Sequence, residues 1–166
     1  TNTRIECWYT YAYSSVTSIT LNSSTSQYYA SSLTEWSGIE TGADPKDVVS
    51  PDNSGGASST TQTTPTINTT NATDLIIAAI HHGQTTSTDN DGTFTRMTDF
   101  DSTTVGSGRA SYKFVSSTGG YTDNWTLGSA KSAGHITVSF KGQSDAGIVA
   151  DTNIISQIAV SRSLVY

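Results

Sequence analysis

Asp74-Leu75-Ile76-Ile77-Ala78-Ala79-Ile80-His81-His82 decides the fold of this chain. Leu75 to Ile80 are apolar without a break, and polar residues close the run on both sides. A run this short suits a strand covered on both faces better than a helix, and it predicts a central strand over residues 74–82. It also falls far short of the roughly 18 apolar residues that cross a membrane as a helix, so no membrane span is expected.

Working outward, the pattern alternates with a period of two. In residues 4–13 it places Ile5, Cys7, Tyr9, Tyr11 and Tyr13 on one face. Residues 16–21 form a weaker strand, and 28–36 another that ends in a Ser37-Gly38 turn. Residues 45–50 follow Pro45 and suit an edge, where no ladder donor is required. Residues 51–64 are rich in Ser, Thr and Gly and read as a loop. Further strands are expected at 94–100, 109–115, 121–127 and 134–141. Asp91-Gly92, Gly106-Ser107-Gly108 and Gly119-Gly120 separate them. No window carries a helical period. The fold class is therefore all-β, an antiparallel two-sheet sandwich of jelly-roll or Ig-like kind.

Composition narrows the function. The 166 residues form one domain by length, and only 13% are charged. Serine and threonine fill the surface instead, a dress common on extracellular β-proteins, and Thr suits a pleated, half-exposed strand. An extracellular or cell-surface location is expected. The net charge of -6 and the scattering of eight basic residues argue against nucleic acid, which needs clustered cations. The chain opens on Thr1 rather than Met, as expected of a processed or truncated chain. Cys7 is the single cysteine, so no intrachain disulfide forms, and its phase predicts a small apolar packing role.

Several stretches carry a resemblance. Val16-Thr17-Ser18-Ile19-Thr20 and Glu35-Trp36-Ser37-Gly38-Ile39-Glu40-Thr41 are joined by Asp74 to Ala79, Phe94-Thr95-Arg96 and Ile136-Thr137-Val138-Ser139-Phe140. Together, over about residues 4–142, they resemble a β-sandwich module recurrent in secreted bacterial and environmental surface proteins. The resemblance implies a fold and no activity. It also implies one or two strands ahead of the aromatic strand at Arg4, which this chain starts too late to contain, and an end near Lys141. Residues 1–142 are thus expected to form the sandwich domain and 143–166 a C-terminal extension.

That extension keeps a strand pattern. Ile148, Ile154, Ile158, Val160, Leu164 and Tyr166 all fall on even positions, making one face the more apolar. A sandwich short of a strand leaves an apolar groove and unpaired backbone groups, which a detached strand fills by β-augmentation. At about 3.3 Å per residue, residues 147–166 span roughly 60 Å, enough to reach an adjacent subunit. Donation that does not close into a ring builds a head-to-tail polymer of identical copies. Return of the tail into its own domain is the competing destination. Residues 1–6 are a second, shorter donor candidate.

Catalytic signals are thin, and the chain is not expected to be an enzyme or to need a cofactor. His81 and His82 point to opposite faces of a strand and cannot chelate one ion together; with His135 they read as surface or edge residues. Asp89-Asn90-Asp91-Gly92 lacks the closing bidentate Glu of a calcium loop and reads as a turn. Glu35/Glu40 and Asp99/Asp101 read as solvated loop carboxylates rather than a glycosidase dyad. Asn22, Asn68, Asn71 and Asn124 head glycosylation sequons, with Asn68 and Asn71 favoured by their polar loop. The rival function is a carbohydrate-binding or adhesin module. Trp8, Trp36 and Trp125 with eight tyrosines supply stacking rings for sugars, and the phase of Trp8 opposes Cys7.

Overall fold

The computed structural model describes residues 5–11, 18–20, 31–41, 44–52, 57–83, 87–90, 92–97, 106–143 and 149–150. Their strands are β1 (Trp36–Ser37), β2 (Lys46–Asp52), β3 (Ser59–Thr63), β4 (Ile67–Asn68), β5 (Asp74–His82) and β6 (Ser87–Asn90). After them come β7 (Thr95–Arg96), β8 (Ser107–Val115), β9 (Gly120–Tyr121), β10 (Asn124–Lys131), β11 (Ala133–Lys141) and β12 (Val149–Ala150). Every pairing is antiparallel, and the described residues contain no helix. The protein is an all-β sandwich.

Among the described residues the principal sheet has the order β2-β11-β5-β8-β7. The central place of β5 follows from its sequence, since a strand apolar at six successive positions must be covered on both faces. It pairs along its whole length, Asp74 to His82, with Val115 to Ser107 on one side and Lys141 to Ala133 on the other. β2 lies at the edge, where Pro51, opposite Ile136, has no need to donate outward.

The sheet has two different faces. On the inner face Ile76 and Ala78 join Ile67, Phe94 and Val115, while Ile80 joins Trp125, Leu127 and Ala133. Trp125 and Leu127 come from β10, the middle strand of a second sheet of order β3-β10-β6. On the outer face Leu75, Val138 and Phe140 are buried beneath Cys7, Trp36 and Ile39. Burying a side chain such as Leu75 contributes about 1.5–3 kcal/mol, so both faces of β5 stabilise the fold.

Several expected boundaries move. Residues 51–64 are not one loop: β2 runs on to Asp52, and Ser59–Thr63 is a strand on β10. Threonine-rich polar strands escape a test for apolar alternation because the exposed face carries the pattern; only Gln62 of β3 is buried. Gln62 holds that position by directing Nε2 at the carbonyls of Lys131 (2.7 Å), Ser59 (3.2 Å) and Ala57 (3.4 Å). Residues 5–8 keep the expected alternation of burial, whereas Tyr9 and Tyr11 are exposed, and residues 5–11 join no strand ladder. Cys7 packs on the outer core, Tyr9 meets Phe140 edge-on at 5.2 Å, and Trp8 projects away. The described part of 28–36 before Trp36, residues 31–35, is likewise without ladder pairing. Gly106 does not interrupt the chain as a free turn. Its φ of 104° and the His82 carbonyl oxygen, 2.6 Å from where a Cβ would stand, make it the tight entry to β8.

Candidate functional site

The C-terminal extension meets the domain at a small aromatic junction. Gly142 follows β11 and donates its N–H to the Thr73 carbonyl at 2.7 Å; Gln143 donates to Gly38 at 2.8 Å. Beyond it, Val149 pairs with Ser37 and Ala150 with Trp36. The Trp36 ring stands edge-on to Tyr112 at 4.8 Å and to Phe114 at 5.8 Å, and Nε1 donates to Thr34 at 2.9 Å. The first paired residues of the extension are thus hydrogen-bonded to their own chain, over the outer face of the principal sheet. Ile148, Ile154, Ile158, Val160, Leu164 and Tyr166 lie outside the described residues, as does Asn22.

The outer face around this junction is incompletely buried. Phe114 is 41% exposed and Val49 44%. Along the rows of the ladder the outer face tapers from Phe140, Leu75 and Phe114 to Gly134, His81 and Gly108.

The three described sequons differ sharply. Asn68 is exposed at the end of β4. Asn71 has its amide engaged, Nδ2 donating to the Thr73 carbonyl at 2.7 Å and to Asp74 Oδ1 at 3.0 Å. Asn124 accepts from Thr63 Oγ1 at 2.6 Å. The sequence groups Asn68 with Asn71 in one polar loop, whereas the structure separates them: Asn68 faces solvent and Asn71 is held inside its own turn. Sequence spacing carries no signal for this, because the difference arises from the fold of residues 68–74.

Around Asn71 lies a cluster that sequence reading missed. Asp47 of the edge strand accepts from the Thr70 N–H at 2.6 Å, from the Thr70 hydroxyl and from the Asn71 N–H at 3.3 Å. Asp74, fully buried at the start of β5, adjoins Asp47 and Ser139. Burial, reinforced by the neighbouring Asp47 carboxylate, raises the pKa of Asp74 to about 6. Burial also pushes Asp47 upward, but the donors of Thr70 and Asn71 outweigh it and hold that carboxyl below its ordinary range. Oδ2 of Asp74 is buried without a hydrogen-bond partner among the described residues.

The histidines need correcting. His82 and His135 are buried rather than surface residues, both on the inner face. His82 Nδ1 lies 2.9 Å from the Gly83 carbonyl, which places a proton on that nitrogen. His81 occupies the opposite face, as its position next to His82 requires. Asp89 and Asn90 belong to the strand β6, with Asn90 paired to Trp125, so that stretch is strand up to Asn90. No group of three or more metal-binding side chains occurs among the described residues. Glu35 is exposed, and Glu40 sits 3.7 Å from Lys141 Nζ; Asp99 and Asp101 lie outside the described residues. No helix among the described residues is long and apolar enough to cross a membrane.

The aromatic candidates separate into three environments. Trp125 is a core residue, 1% exposed; Trp36 is half-buried; Trp8 is 82% exposed, with Nε1 donating to Glu6 Oε2 at 3.0 Å. Tyr9 donates its hydroxyl to Asp44 at 2.7 Å, and that bond holds the phenol above and the carboxyl below their usual ranges. Cys7, its thiol pushed up by burial, serves as packing. Comparison with protein-family models, with curated proteins and with solved structures finds no match in any of the three.

Proposed function

We propose that the protein is a structural subunit of an extracellular filament or surface fibre, assembled by donation of its C-terminal strand to a second copy. The observation that carries this reading is the aromatic junction. A segment with a strand's alternation enters a β-ladder at Val149–Ala150, beside an outer sheet face that leaves Phe114 and Val49 partly exposed. The residues after Ala150 repeat apolar side chains at Ile154, Ile158, Val160 and Leu164. Such a pattern matches a surface with apolar pockets at alternate positions, the recognition mode of an added strand. Serine and threonine in place of charge suit a subunit exposed on all sides and packed against copies of itself, since like charges across each contact are avoided.

Deleting residues 146–166 tests the proposal. Negative-stain microscopy of the full chain is expected to reveal filaments, and the truncated chain is expected to remain a soluble monomer. Filaments of unchanged length and number after truncation overturn it.

A second reading is favoured by Trp8, whose ring is almost wholly in solvent beside the Glu6 carboxylate. An exposed indole next to a hydrogen-bonding acid suits stacking on a sugar ring, so glycans are the alternative partner. A polysaccharide pull-down that retains the monomer but not W8A supports this second reading.

A further inference from the structure

We propose that Asp47 and Asp74 form a proton-dependent latch, which closes the turn of residues 68–73 on the edge strand β2 and releases it, with the root of the C-terminal extension, on ionisation. The geometry of the turn carries the inference. Asp47 gives its carboxylate to donors of Thr70 and Asn71, so the turn hangs on the edge strand through one side chain. Asp74 closes it from the other side by accepting the Asn71 amide. The two acids come from β2 and β5, strands that are separated in the sheet by β11. Asn71 bridges the two acids, its N–H on Asp47 and its Nδ2 on Asp74 Oδ1, while Asp74 Oδ2 is buried without a hydrogen-bond partner among the described residues. A proton on Asp74 leaves one anion at the turn, and its loss puts a second, buried one beside the first.

The same turn holds the extension. The Thr73 carbonyl accepts from both Asn71 Nδ2 and the Gly142 N–H, each at 2.7 Å. Loss of the latch therefore frees the carbonyl that anchors the first residue beyond β11. The Lys141 carbonyl accepts from the Glu40 N–H at 2.9 Å and Gln143 donates to Gly38, so Gly142 is the joint between the latch and the aromatic junction.

The surrounding charges do not neutralise a second anion. Lys141 stands opposite Asp74 in the ladder, but its Nζ is directed to Glu40 at 3.7 Å. Lys46 lies 3.8 Å from Asp44. Lys113, on the same sheet face, holds its Nζ over the rings of Phe94 and Tyr121 at 5.5 and 5.8 Å. Ser139 accepts the Val48 N–H on its Oγ at 3.2 Å, and its hydroxyl favours the charged form of Asp74 by less than burial disfavours it. Asp74 ionises near pH 6, within the range where many extracellular settings differ. The latch stands on these contacts alone, whether or not the subunits polymerise.

Amide hydrogen exchange of the full chain, read by NMR between pH 4.5 and 7.5 as protection factors, tests it. The Thr70, Asn71 and Gly142 amides are expected to lose protection about tenfold as the pH passes 6. Asp74→Asn keeps a donor facing Asp47 at every pH and is expected to make those protection factors flat. Constant protection in the native chain, or the same step in Asp74→Asn, overturns the latch. Should Asp74→Asn fail to fold, the side-chain carboxyl carbon of Asp74 in the native chain decides by NMR: it is expected to titrate in step with the loss of amide protection, and protection lost at a pH where that carbon does not titrate overturns the latch.

Discussion

Trp36 stands edge-on to Tyr112, ring centres 4.8 Å apart and planes inclined at 62°, and pairs through its backbone with Ala150. One residue therefore joins the outer face of the principal sheet to the start of the C-terminal extension. Edge-to-face ring pairs contribute about 0.5–1.5 kcal/mol beyond the area they bury. Trp36→Ala also removes the contact with Phe114. It is expected to cost about 2–4 kcal/mol, measured as a shift of the urea midpoint with unchanged slope. In the same variant, protease cleavage after residue 143 is expected to quicken relative to cleavage elsewhere.

Gly106 tests the tight entry to β8. With φ at 104° and the His82 carbonyl oxygen 2.6 Å from the place an added methyl group would take, Gly106→Ala meets both backbone strain and a steric overlap. A loss of about 2 kcal/mol or more is expected by thermal or urea unfolding. Gly92→Ala, with φ at 79° and open space around it, is expected to lose less, about 1 kcal/mol.

Sequon use follows from side-chain engagement. In a glycosylating host, peptide mapping is expected to find glycan on Asn68 and none on Asn71. Asn71→Ala removes the two bonds from its amide and is expected to cost about 1–3 kcal/mol, because Asp74 is left buried without that donor. Asn68→Gln is expected to leave stability within about 0.5 kcal/mol.

The Asp74 carboxyl sets a pH dependence with a definite sign. Its folded value of about 6 lies above the ordinary 3.8, so the folded chain binds more protons between those limits. The stabilising share is complete below about pH 4 and is lost as the pH rises through 6. Asp47, held below its ordinary range, acts oppositely and loses its share on acidification below that range. Relative to Asp74→Asn, the native chain is therefore expected to lose about 1 kcal/mol between about pH 4 and 7, after allowance for solvent screening. Parallel urea curves across that range check it.

Trp8→Ala is expected to leave the urea midpoint unchanged within about 0.5 kcal/mol, since the ring is 82% exposed and belongs to none of the core clusters. A large destabilisation would show that the ring packs in solution and would remove it as a sugar platform.

How far the sequence carries depends on the kind of side chain involved. The central strand was legible because Leu75 to Ile80 leave no alternative burial, and the edge strand because it follows Pro45; its continuation through Pro51 was not, since Pro51 reads as the start of a loop. The outward ring of Trp8 and the inward packing of Cys7 followed from alternation alone, even though residues 5–11 join no ladder. Strand β3 escaped because Ser59 to Thr63 advertise only a solvent face, and the buried Gln62 is held in part by a carbonyl distant in sequence, that of Lys131. His82 and His135 were misplaced for a similar reason: their burial depends on the sheet that covers them, not on their neighbours along the chain.

Local pattern thus determined that this protein is an antiparallel β-sandwich, which strand lies at its centre, and that its last residues keep a strand's alternation. Tertiary structure alone decided that Asp47 meets Asp74, that Asn71 is engaged while Asn68 is exposed, and that Trp36 joins the tail to Tyr112. Alternation is a property of successive residues and survives in any fold. Bringing the Asp47 carboxylate to Thr70 and Asn71, 23 and 24 residues further along the chain, takes the assembled sheet, and no local pattern records it.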